Sequence, residues 1–206
     1  MHKKILVAII LLNLTHFVYS QEREATIIFN DSTSIKGFGE IKNKKIYFRV
    51  SQENEITKWS FDMAKGLTFS GYRFSEKYEY VKPDKYSNPI LMEVIEEGNV
   101  NLYKKNSFGL KMGVGVGAGF SGSGNGFAGL GPSLNYDFSG VYYVKRINED
   151  NATDITFSFK TRSLRYFSDC KIIIEKINKR EFKKETITEM VYYYNDYCGK
   201  EDADEN

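Results

Sequence analysis

Between Glu24 and Lys160 the apolar residues come in short runs that alternate with polar ones at a period of two, and the runs end on Asn, Asp, Gly or Pro. A period of two sends successive side chains to opposite faces of a strand. Such a chain hides one face of each strand and needs close antiparallel neighbours. Residues 24–30 set Thr26 and Ile28 against Ile27 and Phe29, and Asn30-Asp31-Ser32 turns the chain. Residues 33–42 line up Ile35, Gly37, Gly39 and Ile41, a row of small residues that admits close approach by another element or marks a bulge. After Asn43-Lys44, residues 45–51 send Ile46, Phe48 and Val50 inward and Tyr47, Arg49 and Ser51 outward. Further strands are expected at 56–60, within 67–80 with a break at Gly71, at 90–97 and 100–105 around Gly98-Asn99, and at 141–146. The last is expected at 153–160, with Ile155, Phe157 and Phe159 inward. Pro83 and Pro89 bracket a loop.

Eleven of the seventeen glycines lie between Gly109 and Gly140. Two G-x-G-x-x-G strings occur there, Gly117/Gly119/Gly122 and Gly124/Gly126/Gly129. A dinucleotide fingerprint needs a strand before it and a helix after it, so that the helix N-terminus meets phosphate. No helical pattern follows either string, and no Walker-type lysine does. What the stretch does show is alternation: Leu110, Met112, Val114, Val116, Ala118 and Phe120 against lysine and glycine, then Ala128 to Phe138 in the same manner. Residues 107–140 are therefore expected to be a glycine-rich β-hairpin or loop inserted between two core strands. One face is apolar and the other is smooth, which suits a partner or lipid.

Beyond residue 168 the period changes. Cys170, Ile173, Ile174 and Ile177 follow helical spacing, as do Ile187, Met190, Val191 and Tyr194. Ser168 or Asp169 can cap the first helix and Thr186-x-x-Glu189 reads as a capping box for the second. Phe182 is expected to pack in the link. Each helix is about 10 residues, roughly 15 Å long. In an antiparallel pair the start of one meets the end of the other, which brings Cys170 to Cys198. A disulfide there closes a long loop and should stabilise by about 3–4 kcal/mol.

The first twenty residues read as a secretory signal: basic His2-Lys3-Lys4, an apolar run from Ile5 to Leu12, and Val18-Tyr19-Ser20 before Gln21. The apolar run is shorter than the roughly 20 residues a membrane-spanning helix uses. The chain should thus be exported, to a periplasmic, outer-envelope or secreted location. It should have a single domain at 21–198 and a flexible acidic tail at 199–206. Lys3 and Lys4 are two of the 29 basic residues, so 27 remain against 27 acidic. With that balance no nucleic-acid partner is expected. Both histidines, His2 and His16, also fall in the signal. Without them, Ser-His-Asp and Cys-His nucleophile systems have no base, and zinc or non-haem iron sites lack imidazole ligands. No metal and no cofactor is expected. Asn148 to Asn151 with Asp154 lacks the glycine and terminal glutamate of a calcium loop and reads as a polar turn. Glu93, Glu96 and Glu97 leave a carboxylate hydrolase open, or simply a solvated face.

The run LMEVIEEGNVNLYKK, then VYYVKR, then RYFSDCKIIIEKINKREFKKETITEMVYYYNDYC, resembles a group of exported proteins common in the Bacteroidetes. Its most specific parts are Tyr166 to Cys170 and Tyr194 to Cys198. The resemblance implies a β-meander, a strand pair with a variable connection, and a Cys-to-Cys helical hairpin. It brings no activity and no catalytic residue. The expected fold is α+β, mainly an antiparallel meander with a two-helix hairpin at its end. The expected function is a non-enzymatic envelope module that contacts a protein or glycan. The candidate contact residues are Tyr72, Phe74, Tyr78 and Tyr80 on one strand face and Val114, Val116, Phe120 and Phe127 in the glycine stretch. The aromatic row could stack sugars, or be the half-buried face of an ordinary strand. Glycan hydrolysis by carboxylates and membrane contact through 109–138 are the alternatives.

Overall fold

The structure is a computed structural model that describes residues 22–71, 74–105 and 140–198. Its strands are β1 (Arg23–Phe29), β2 (Ser34–Lys42), β3 (Lys45–Arg49), β4 (Thr57–Trp59), β5 (Ala64–Gly71), β6 (Phe74–Val81), β7 (Ile90–Glu96), β8 (Val100–Lys105), β9 (Val141–Arg146) and β10 (Thr153–Asp154). They form one sheet in the order β10-β9-β8-β7-β6-β5-β1-β2-β3-β4, antiparallel throughout. The expected meander is present with one re-entry. After β4 the chain turns at Ser60–Ala64 and returns to the free side of β1, which then lies between β2 and β5.

The amino-terminal half curls. The Tyr80 hydroxyl on β6 donates to Trp59 C=O on β4 at 2.9 Å and accepts from Ile46 N–H on β3 at 3.4 Å. The inner face closes over Ala25, Ile27, Ile46, Phe48, Ala64, Leu67, Phe69 and Leu91. Gly37 makes the curl sterically feasible, since a Cβ there would stand 2.7 Å from the Phe48 ring and 2.3 Å from Arg49 C=O. The expected row of small residues thus does admit a close neighbour. Val50, expected inward, is 57% exposed. β3 ends at Arg49, and Asn54 Oδ1 draws Ser51 into a turn by accepting from both its N–H and its hydroxyl.

In the other half, β7–β10 carry helices on the same face. Val100, Leu102 and Val144 pack with Ile155, Phe167, Ile173, Ile177, Ile187, Met190, Val191 and Tyr194. The helices are α1 (Phe159–Tyr166), α2 (Lys171–Asn178) and α3 (Ile187–Tyr193), the last continued by a wider turn through Tyr194–Cys198. Helices this short are marginal alone, so the buried stripe and the Cys170–Cys198 disulfide hold them. The disulfide has a Cα–Cα separation of 5.8 Å. Phe182 packs on Tyr193 in the link at 5.9 Å between centroids, as expected.

Three local expectations fail. Residues 153–160 are not one strand. Asp154 Oδ1 accepts from Thr156 N–H (2.7 Å) and Phe157 N–H (3.3 Å), Ser158 adopts left-handed backbone at φ 51°, and α1 begins at Phe159. Phe157 is consequently 62% exposed, and three helices replace the expected two. Neither Ser168 nor Asp169 caps α2, whose N-cap residue is Cys170. Thr186 does not cap α3 with its side chain: its hydroxyl accepts from Lys183 N–H instead.

The β7–β8 connection is also longer than a two-residue Gly-Asn turn. It runs through Glu97, Gly98 and Asn99, with a bulge in β7 between Val94 and Glu96. Asn195 explains why. Its Oδ1 accepts from Val100 N–H and its Nδ2 donates to Val100 C=O, both at 3.0 Å, as a neighbouring strand would do. Gly98 has no Cβ because one would sit 2.5 Å from the Asn195 amide. Asn195→Ala should cost about 1–3 kcal/mol, leaving two backbone groups unpaired. Asn195→Asp should cost more, since a carboxylate oxygen would face Val100 C=O. Chemical denaturation of the two variants checks the order.

Candidate functional site

The outer face of β7–β9, opposite the helices, has its own small core of Val81, Met92, Tyr103 and Ala152, joined by Ile90, Val94 and Tyr143. Two connections fold over it, tied where Ala152 N–H donates to Lys82 C=O at 2.8 Å. Between them is an open groove of about 560 Å³. Pro83, Asp84 and Lys85 form one wall, Tyr143 the floor, and Asn151 to Asp154 with Arg162 the other wall. The Arg162 guanidinium donates to Asp154 C=O at 2.9 Å and lies 3.3 Å from its carboxylate. The Ser87 hydroxyl and the Tyr86 N–H hold the Asp84 carboxyl below its usual range. Burial, then Asp154 and Asp84, raise the Tyr143 phenol, which therefore stays protonated. Asn151 Oδ1 is buried with no hydrogen-bond partner among the described residues, a cost of the kind rarely left in a native interior. A phenol ring, a planar amide, carboxylates and a guanidinium together can bind a ligand rich in hydroxyl or amide groups.

The two motifs Tyr166 to Cys170 and Tyr194 to Cys198 meet around Arg146, the last residue of β9. The Arg146 guanidinium donates to the Tyr194 hydroxyl (2.6 Å), to Tyr166 C=O (3.2 Å) and to both oxygens of Asp169 (3.1 and 3.0 Å). The Tyr194 hydroxyl donates to Asp169 Oδ2 at 2.5 Å. Tyr166 donates to Glu149 Oε2 at 2.7 Å, and that oxygen also accepts from Arg146 N–H at 2.9 Å. Burial first, then the Glu149 bond, raises the Tyr166 phenol strongly. Every polar group here answers another, so the cluster locks the last long strand to the helices. It also uses Glu149, from the stretch that reads as a polar turn.

Other expected residues fall as follows. Tyr78 packs edge-on to Phe69 at 5.9 Å and Tyr80 spans the curled sheet, so both rings serve the inner core. Phe74 lies on β6, and Tyr72 lies outside the described residues, as do Val114, Val116, Phe120 and Phe127. Glu97 binds Lys77 at 2.6 Å, and Glu96 bonds the Tyr192 hydroxyl. Among the described residues, no group of His, Cys, Asp and Glu is placed to hold a metal, and no helix is long and apolar enough to cross a membrane.

Tyr78, Tyr103 and Tyr194 are each pushed up to about 12, mainly by burial. A raised phenol pKa means the folded chain keeps a proton the unfolded chain gives up. Stability should therefore hold below pH 10 and fall as pH rises from 10 to about 12. Denaturation at stepped alkaline pH, read beside tyrosinate absorbance, measures that loss.

No family model, curated protein or solved structure matches the chain. The groove and the Arg146 cluster therefore rest on their own geometry. Sequence reasoning missed both. Tyr143, Asp84 and Arg162 are far apart in the chain and none sits in a motif. The two Tyr-to-Cys motifs were visible, but their shared partner was not.

Proposed function

We propose that the chain is an exported, non-enzymatic module of the cell envelope that holds a protein or glycan partner at one end of its sheet. The observation that carries this is the pairing of Lys105 with Val141. β8 and β9 stay in register to the point where the chain leaves for residues 106–139, which supports reading that stretch as an insertion into a strand pair. Val81 pairs with Ile90 and Asp154 with Tyr143 at the same end, which places the groove beside the insertion's roots. A scaffold of this kind presents a segment and a groove together. Export is supported by the signal-like start and by the disulfide, which suits an oxidising compartment. The likeness to exported Bacteroidetes proteins belongs to the same proposal.

The test uses the purified oxidised chain against envelope extract, beside a variant in which Asn-Gly replaces residues 106–140. A partner captured by the first, lost with the second, and shown to bind when purified supports the proposal. Glycan turnover that disappears on substituting Glu93, Glu96 or Glu97 would overturn it in favour of a hydrolase. Liposome flotation that disappears with the insertion would assign the stretch to lipid.

A further inference from the structure

The outer face of the curled half is charged in an uneven way. Ile46 and Phe48 point inward, so Lys45 and Tyr47 point out. Lys42 pairs directly with Lys45 across β2–β3, and Lys58 pairs with Tyr47 across β3–β4. Strands lie about 4.8 Å apart, so these positions are near neighbours. Like charges set directly opposite each other destabilise a sheet. Lys42, Lys45 and Lys58 are all exposed. Glu40, opposite Tyr47, lies 3.5 Å from Lys42. Among the described residues Lys45 and Lys58 have no ion pair. Their ammonium groups are close enough that Lys58 pushes the Lys45 pKa below its usual value. Glu40 already relieves Lys42, but Lys45 and Lys58 beside the Tyr47 ring carry a cost in the free protein that a further anion would relieve.

We infer that the outer face of β3 and β4 binds an acidic polysaccharide, with Lys42, Lys45 and Lys58 holding its carboxylate or sulfate groups and Tyr47 stacking on a sugar ring. The surface is separate from the groove and does not depend on what the groove or the insertion binds. A polysaccharide fits better than the other polyanions. Single-stranded nucleic acid binds over several exposed rings, one per base, and this patch offers one. A lipid surface draws on apolar groups beside the cations, whereas Glu40 and Tyr47 stand here. The overall charge balance hides the patch because it averages the whole chain.

The test measures binding of the purified oxidised chain to dextran sulfate and polygalacturonate, with neutral dextran as reference. Both acidic polymers should bind, with affinity falling as salt rises, and dextran should not. The Lys45→Glu/Lys58→Glu variant should lose roughly tenfold or more, the equivalent of one or two charge-assisted contacts. A Lys160→Glu/Lys179→Glu variant, with the same change in net charge elsewhere, should keep its affinity, as should the Asn-Gly replacement of 106–140. If the glutamate pair unfolds the chain, Lys45→Gln/Lys58→Gln is used and should lose affinity in the same direction. Equal binding by wild type and the β3–β4 variant would overturn the inference. So would equal loss in the remote variant, or loss with the insertion. Tighter binding to an oligonucleotide or to anionic vesicles would also overturn it. Self-association abolished by removing 199–206, without polysaccharide binding, would assign the face to a second copy.

Discussion

Breaking the Cys170–Cys198 bond should lower stability by about 3–4 kcal/mol. The cysteines are 28 residues apart in sequence, and the bond removes that loop's freedom from the unfolded chain. The folded side of the balance points the same way. α2 and α3 are too short to stand alone, and the bond joins the residue that opens α2 to the residue that ends the turn after α3. It also lies next to Asp169 in sequence and one turn from Tyr194, so it holds both against Arg146. For a chain of this size the loss corresponds to a fall of roughly 6–16 °C in Tm. Thermal unfolding with and without reductant, beside Cys170→Ser/Cys198→Ser, reads it directly. A shift below about 1 kcal/mol would mean that packing alone positions the helices.

Phe167→Ala should cost about 3–5 kcal/mol. Phe167 is fully buried where α1 ends, with its ring 5.1 Å from Tyr166 and 5.0 Å from Tyr194. Those two tyrosines are pinned by Glu149, Asp169 and Arg146, so the cavity cannot readily collapse. Tyr194→Phe offers the comparison. It removes only the hydroxyl between Arg146 and Asp169, whose side chains are 26% and 48% exposed. Solvent screens that pair, and the loss should be nearer 1 kcal/mol. Packing thus outweighs polar bonding at this joint. Urea unfolding of the two variants should give the larger loss for Phe167→Ala. The reverse order would make the Arg146 cluster the main support.

Much of the sheet could be read from the sequence because alternation and turn residues are local. Ile27, Ile46, Phe48 and Leu102 announce their faces within a few residues. The failures came where local pattern and tertiary geometry part. Ile155, Phe157 and Phe159 alternate as a strand would, but the Asp154 carboxylate takes two backbone N–H groups and stops it. α1 hides because its one fully buried residue is Ser163, while Phe159, Leu164 and Tyr166 pack against the core only half-buried. Helical spacing and two cysteines were enough to place the disulfide. The groove, the Arg146 cluster and the lysine patch were not legible, since register and closure across many strands create them. Arg146 looked like one more polar residue at the end of a strand. Lys42, Lys45 and Lys58 looked like ordinary solvated charges.

The scaffold should fold without residues 106–140. The most direct measurement is thermal unfolding of the variant that joins Lys105 to Val141 through Asn-Gly, a turn suited to a two-residue hairpin. Each halving of loop length saves about 0.6 kcal/mol of closure entropy. The variant should therefore show the same circular dichroism as the full chain and melt cooperatively at the same temperature or a few degrees higher. A lower Tm or a non-cooperative melt would show that the glycine-rich stretch is part of the core.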